Sequence, residues 1–151
     1  DQSITSQIQG INHIAIASKD LQRTRWFFSE VLQLQTVSSE TVACEGVHTT
    51  CLASANDKAA TQQPMLELLS PLTPASTVAK FIQRRGAGVH HLAFNVKNVR
   101  LMASMLQAKG VQLINREPRA GANNTLVLFV HPKSTGGILV EFVQCEDNCS
   151  S

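Results

Sequence analysis

The stretch Gly10-Ile11-Asn12-His13-Ile14-Ala15-Ile16-Ala17 has a near copy in Gly88-Val89-His90-His91-Leu92-Ala93-Phe94-Asn95, 78 residues later. Glycine, histidine and alanine coincide, and the aliphatic positions between them pair conservatively. Lys19-Asp20-Leu21 then matches Lys97-Asn98-Val99. In a chain of 151 residues that offset is about half the length. A repeat on this scale restricts the fold to two copies of one supersecondary unit.

The repeat extends to a second residue type. Met65-Leu66-Glu67-Leu68 resembles Leu139-Val140-Glu141-Phe142, an apolar strand with one carboxylate inside it, at an offset of 74 residues. A small insertion therefore separates the halves. The constellation is His13, Glu67, His91 and Glu141: two imidazoles and two carboxylates, symmetrically placed. A carboxylate inside an apolar strand is costly to bury without a compensating partner. A divalent cation is that partner here.

A lone strand histidine is ordinarily a core residue, so repetition carries the assignment, not His13 alone. His90 adjoins His91 but alternates to the opposite face, and is read as packing. His131 precedes a turn and is read as shaping it. His48 stays open.

Each half reads strand, helix, strand, strand, strand. In the first, strands are expected at 11–17, 34–43, 47–53 and 65–69, with a helix from Leu21 to Leu32 capped by Asp20. Its apolar positions, with Trp26, Phe27 and Phe28, are read as core. Residues 1–9 are expected to be a loose lead-in, and 54–64 a connecting loop. Residues 74–85 read as a linking helix closed by Gly86. The second half is expected to hold strands at 89–96, 111–115, 125–131 and 138–143, a helix from Val99 to Lys109, and a loop at 120–124. The predicted class is α+β: two tandem βαβββ modules, 10–72 and 88–145, joined by 73–87 and forming a curved sheet cleft lined by the four ligands.

Composition closes off other classes. Hydrophobic residues at 43% and charged residues at 16% mark a globular chain. A net charge of +2 with scattered cations argues against nucleic acid as a partner. No apolar run approaches the roughly 18 residues needed for a membrane span, so no membrane partner is expected. No signal-peptide pattern is read at the opening. Of the four cysteines, Cys51 reads as a small buried hydrophobe, and Cys44 and Cys51 form no zinc-type pattern with Cys145 and Cys149. Whether Cys145 and Cys149 pair is left open.

These motifs resemble the vicinal oxygen chelate (glyoxalase/bleomycin-resistance) superfamily, whose members pair βαβββ modules around a metal. Within it the chain is similar to the methylmalonyl-CoA epimerase family. The resemblance rests on the Ile11-to-Ala17 opening, Leu66-to-Leu72, Val78-to-Phe81, Gly88-to-Phe94 and His131-to-Glu141, and spans residues 10–144. It implies that His13, Glu67, His91 and Glu141 are metal ligands, with Glu67 where some members carry glutamine. It implies Glu141 as the catalytic base. Some members carry a second glutamate where this chain has Thr49, and threonine is no base of comparable strength, so the second acid/base is open: another residue, or a water at the metal.

The activity implied is interconversion of (R)- and (S)-methylmalonyl-CoA by α-proton abstraction through a metal-stabilised enolate. The donors suit a six-coordinate cation, Co²⁺ first, with Mn²⁺, Ni²⁺, Zn²⁺ and Mg²⁺ as alternatives. The partner is a small acyl-CoA, and Arg84, Arg85, Arg116 and Lys133 are candidates to meet its phosphates. A homodimer and an intracellular setting, cytoplasm or mitochondrial matrix, are also implied. Two alternatives compete: a glyoxalase I-type lactoylglutathione lyase, which uses the same ligand set, and a metal-free small-molecule-binding protein, against which the full ligand set counts.

Overall fold

The computed structural model describes residues 3–54 and 63–145. In chain order it runs α1 (Ile4–Gln7), β1 (Ile8–Ala17), α2 (Leu21–Arg25), a π-helical segment (Trp26–Val31), β2 (Gln35–Val42), β3 (Val47–Ala53), β4 (Met65–Pro71), α3 (Thr77–Arg85), β5 (Gly88–Val96), α4 (Val99–Ala108), β6 (Arg119–Gly121), β7 (Thr125–Val130) and β8 (Val140–Cys145). The class is α+β. The chain divides into two compact units, one made of His13–His90 and the other of the chain on either side of it.

In the His13–His90 unit the strands lie in the order β2, β3, β4, β1. β4 runs parallel to β1, and β3 is antiparallel to both β2 and β4. One face of this sheet carries Ala15, Ala17, Val47 and Leu69, which pack with Val78 of α3 and with the half-buried Val42, Phe81 and Ile82. The segment read from sequence as a link thus covers one end of a sheet face. Ser76 caps it by accepting from the Ala79 amide, and Gly86, at φ 77°, ends it.

The other unit repeats the pattern in the order β5, β8, β7, β6. β8 is parallel to β5, and β7 is antiparallel to β6 and β8. Its largest core packs Val99, Met102, Ala103 and Leu106 of α4 against Val96, Leu128, Val130 and Phe142. Asn98 caps α4, accepting from the Leu101 amide at 2.9 Å.

Four expectations are corrected. The lead-in is ordered from Ser3: that residue caps α1, Ile4 packs against the α4 core, and the Lys97 amide donates to the Gln7 carbonyl at 2.9 Å. Residues 1–2 lie outside the described residues. The helix capped by Asp20 keeps α-helical bonding only to Arg25 and continues as the π-helical segment. Its apolar side is not core: Trp26 is 58% exposed, and Phe27, Val31 and Leu32 are also exposed, while Phe28 is half-buried.

Residues 111–115 make only a bridge, Leu113 to Val130. There the Asn115 side chain takes over the ladder, accepting from the Phe129 amide at 2.7 Å and donating to the Val127 carbonyl at 3.0 Å. Part of the expected loop at 120–124 is instead strand, β6, whose turn into β7 uses Asn123 and Asn124 at φ 57° and 54°. Asparagine tolerates this left-handed region better than most residues. Most of the expected loop at 54–64, and Cys149, lie outside the described residues. Among the described residues, no helix is long and apolar enough to cross a membrane.

Candidate functional site

The two units present the same local arrangement. On the parallel β1–β4 ladder Ala15 stands opposite Glu67, and on the β5–β8 ladder Ala93 stands opposite Glu141. His13 and His91 each lie two residues before that alanine. In a strand this puts histidine and alanine on one face, and the paired glutamate shares it. Each imidazole therefore meets the carboxylate of the neighbouring strand. His13 Nε2 lies 3.5 Å from Glu67 Oε2, and His91 Nε2 lies 2.8 Å from Glu141 Oε2.

All four are buried, at 5–6% exposure. Small alanines beside the histidines leave the face open to the longer side chains. Carboxylates this deep need positive charge or hydrogen bonding to stay ionised. An imidazole nitrogen and a carboxylate oxygen, offered together from adjacent strands, are the donors a divalent transition metal takes. The chemistry of each pair fits such a cation.

In the His13–His90 unit, Cys51 stands opposite Glu67 and its Sγ donates to Glu67 Oε2 at 3.8 Å. Thr49, two residues along the same strand, shares this face and is 3% exposed; its Oγ1 donates to the Glu40 carbonyl at 3.4 Å. His48 points the other way. Its Nε2 lies 2.9 Å from Ser39 Oγ and its Nδ1 3.2 Å from Thr41 Oγ1, on the exposed side.

In the other unit, the Phe129 ring meets His91 edge-on at 5.7 Å between centroids, and the Arg119 guanidinium lies over Phe129 at 5.4 Å. Phe129 stands directly opposite Glu141, so cross-strand register was the signal that could have identified it. His131 accepts from the Lys133 amide at 3.1 Å and caps the turn Pro132–Ser134. His90 packs its ring on Phe81 at 4.9 Å. Arg84, Arg85, Arg116 and Lys133 are all exposed, and Arg85 lies over the Phe81 ring at 5.8 Å.

Comparison with known proteins gives a consistent picture. The family described as "Glyoxalase/Bleomycin resistance protein/Dioxygenase superfamily" matches residues 12–129. The mitochondrial methylmalonyl-CoA epimerase of Homo sapiens is 33% identical over 135 residues, 89% of this chain and 73% of that protein. The crystal structure of methylmalonyl-CoA epimerase from Mycobacterium tuberculosis superimposes with a TM-score of 0.86 at 31% identity, covering 94% of this chain and 91% of that one. A variant of the Streptomyces coelicolor methylmalonyl-CoA epimerase, in complex with 2-nitronate-propionyl-CoA, gives a TM-score of 0.85 at 33% identity over 93% of this chain and 96% of that one.

Proposed function

From the premise that this chain belongs to the glyoxalase/bleomycin resistance protein/dioxygenase superfamily, and within it to the methylmalonyl-CoA epimerase family, we propose that it interconverts the epimers of methylmalonyl-CoA with a divalent cation held by His13, Glu67, His91 and Glu141. Membership of that family makes it an isomerase. The observation that carries the metal-dependent reading is the buried imidazole–carboxylate pair built twice, His13 with Glu67 and His91 with Glu141. One such pair offers two donors to an ion that takes four to six ligands.

The chemistry such a cation supplies is Lewis-acid stabilisation of the charge that develops on the thioester oxygen as the α-proton leaves. The chain's own part is proton transfer. Glu141 takes the α-proton, a role typically worth about 10²–10⁴-fold. His91, at 2.8 Å, orients that carboxylate. The apolar neighbours Ala93, Val127 and Val143 exclude water around it. The coenzyme A phosphates are met by exposed cations, for which Arg84, Arg85, Arg116 and Lys133 are the candidates. A second copy of the chain and an intracellular compartment complete the proposal.

The test is isotopic. Metal-loaded protein is incubated with one epimer of methylmalonyl-CoA in D₂O, and deuterium uptake and the other epimer are followed together. Exchange with inversion is expected. Turnover of methylglyoxal with glutathione, and none of the thioester, would replace this reading with a lactoylglutathione lyase.

A further inference from the structure

The sheet face that carries His91 and Glu141 can be followed strand by strand to its edge. Phe129 stands opposite Glu141, and Val127, two residues before it, stands opposite Val143. Arg119 stands opposite Val127 on β6, the edge strand. Directly opposed residues of antiparallel strands share a face, and so do residues two apart on one strand. Arg119 therefore shares a face with His91 and Glu141, at its edge-strand end.

An apolar floor lies between them. Ala93, Val127 and Val143 are buried, and Phe129 packs against them. Gly121 is the other β6 residue on this face, and a side chain there would run into Val127. Arg119 is thus the side chain that β6 contributes to the face.

A cation on an edge strand ordinarily guards the edge against pairing and stands in water. Arg119 turns over the floor instead. Its guanidinium lies over the Phe129 ring at 5.4 Å, and that ring meets His91 edge-on at 5.7 Å. One aromatic ring thus separates the guanidinium from the imidazole that pairs with Glu141. Arg119 is exposed, so an incoming group can reach it. Stacking on a ring uses the flat face of a guanidinium, whereas its N–H donors lie in the plane and match the two oxygens of a carboxylate.

Methylmalonyl-CoA carries such a carboxylate on the same α-carbon whose proton Glu141 takes. Its other anions, the coenzyme A phosphates, lie at the far end of the pantetheine arm. We propose that Arg119 receives the free carboxylate of the acyl group and so selects 2-carboxyacyl thioesters over plain acyl thioesters, a role that rests on the epimerase reading above. The planar two-point contact fixes the carboxylate on the α-carbon. The positive charge offsets the repulsion between that carboxylate and the negative charge growing on the thioester as the proton leaves.

The experiment compares wild type, Arg119→Met and Arg119→Lys in the full chain, with bound metal and circular dichroism measured alongside. Methionine keeps an apolar contact with Phe129 and removes the charge. Calorimetric titration uses three ligands: methylmalonyl-CoA as its equilibrium mixture of epimers, propionyl-CoA, which lacks the carboxylate, and methylmalonyl-pantetheine, which lacks the phosphates. Arg119→Met is expected to weaken methylmalonyl-CoA and methylmalonyl-pantetheine alike, by about tenfold, the scale of one charge-assisted contact. Propionyl-CoA is expected to bind as it does to the wild type. Arg119→Lys is expected to recover part of the loss, because it restores the charge without the fork. Epimerisation kcat/KM should fall with the affinity. Weakening of both coenzyme A thioesters with methylmalonyl-pantetheine spared would move Arg119 to the phosphates and overturn the proposal. Equal weakening of all three ligands, as a structural role would give, overturns it too, and so does unchanged affinity of Arg119→Met for methylmalonyl-CoA. Where the wild type still epimerises, those results overturn this inference alone. If the wild type neither binds nor epimerises methylmalonyl-CoA, the epimerase reading falls and the role of Arg119 falls with it.

Discussion

His91 Nε2 lies 2.8 Å from Glu141 Oε2, and this pair is the closer of the two buried imidazole–carboxylate contacts. Its partners come from adjacent parallel strands, so neither side chain depends on a loop for its position. Removing the imidazole takes a polar neighbour at 2.8 Å away from a carboxylate that is 6% exposed. His91→Ala is expected to lower metal affinity by about tenfold or more. Atomic absorption on dialysed protein measures this, with circular dichroism to verify the fold. Retention of one ion per chain at wild-type affinity would remove His91 from the ligand set.

The repeat makes Glu67 and Glu141 structural equivalents, each opposite an alanine two residues past a histidine. The proposed chemistry makes them unequal. Glu67→Gln keeps an oxygen donor in place with one negative charge fewer, so epimerisation is expected to stay within about an order of magnitude of wild type. Glu141→Gln removes the base as well, and a loss of about 10²–10⁴-fold is expected. Steady-state rates on the two variants decide it. Equal losses would mean that both glutamates act as ligands alone.

An ion bound only by the folded chain stabilises it by mass action. At a free concentration 100 times its dissociation constant the gain is about 2.7 kcal/mol. For a chain of this length each kcal/mol moves the melting temperature by roughly 2–4 °C. Scanning calorimetry with and without a strong chelator is therefore expected to show a difference of about 5–11 °C. No shift on chelation would mean that the buried pairs hold no ion.

The repeated parts of this fold were the legible ones. Gly10 to Ala17 and Gly88 to Asn95 announce equivalent strands, and the two offsets mark His13, Glu67, His91 and Glu141 as a repeated set, whereas the pairing of each histidine with the glutamate of the neighbouring strand comes from the ladders. His48 stayed open because a one-residue slip would reverse its side, and the β2–β3 ladder is what turns it away from the face of Thr49. What stayed hidden depends on pairing or on packing. Glu40 reads as one more polar residue in Val37-Ser38-Ser39-Glu40-Thr41 until the ladder sets it opposite Thr49. Asn115 replaces strand pairing with side-chain bonds, which leave no periodic trace in the sequence. The helical period around Trp26 identifies residues that share a side, but whether anything covers that side is a tertiary matter.

The contrast between α4 and the segment after α2 gives the last prediction. Both follow the first strand of their repeat, and the apolar side of the earlier one was read as core. Met102 of α4 is fully buried against Val96, Leu128 and Phe142, whereas Trp26 is 58% exposed. Met102→Ala opens a cavity in close-packed surroundings and is expected to cost about 2–5 kcal/mol. Trp26→Ala removes a larger side chain, yet an exposed one, and in the monomer it is expected to stay within about 0.5 kcal/mol. Urea denaturation of the two variants at low protein concentration measures both. A cost at Trp26 that grows with protein concentration would show that this side is covered in an assembly, because the covered area would then contribute only where copies associate.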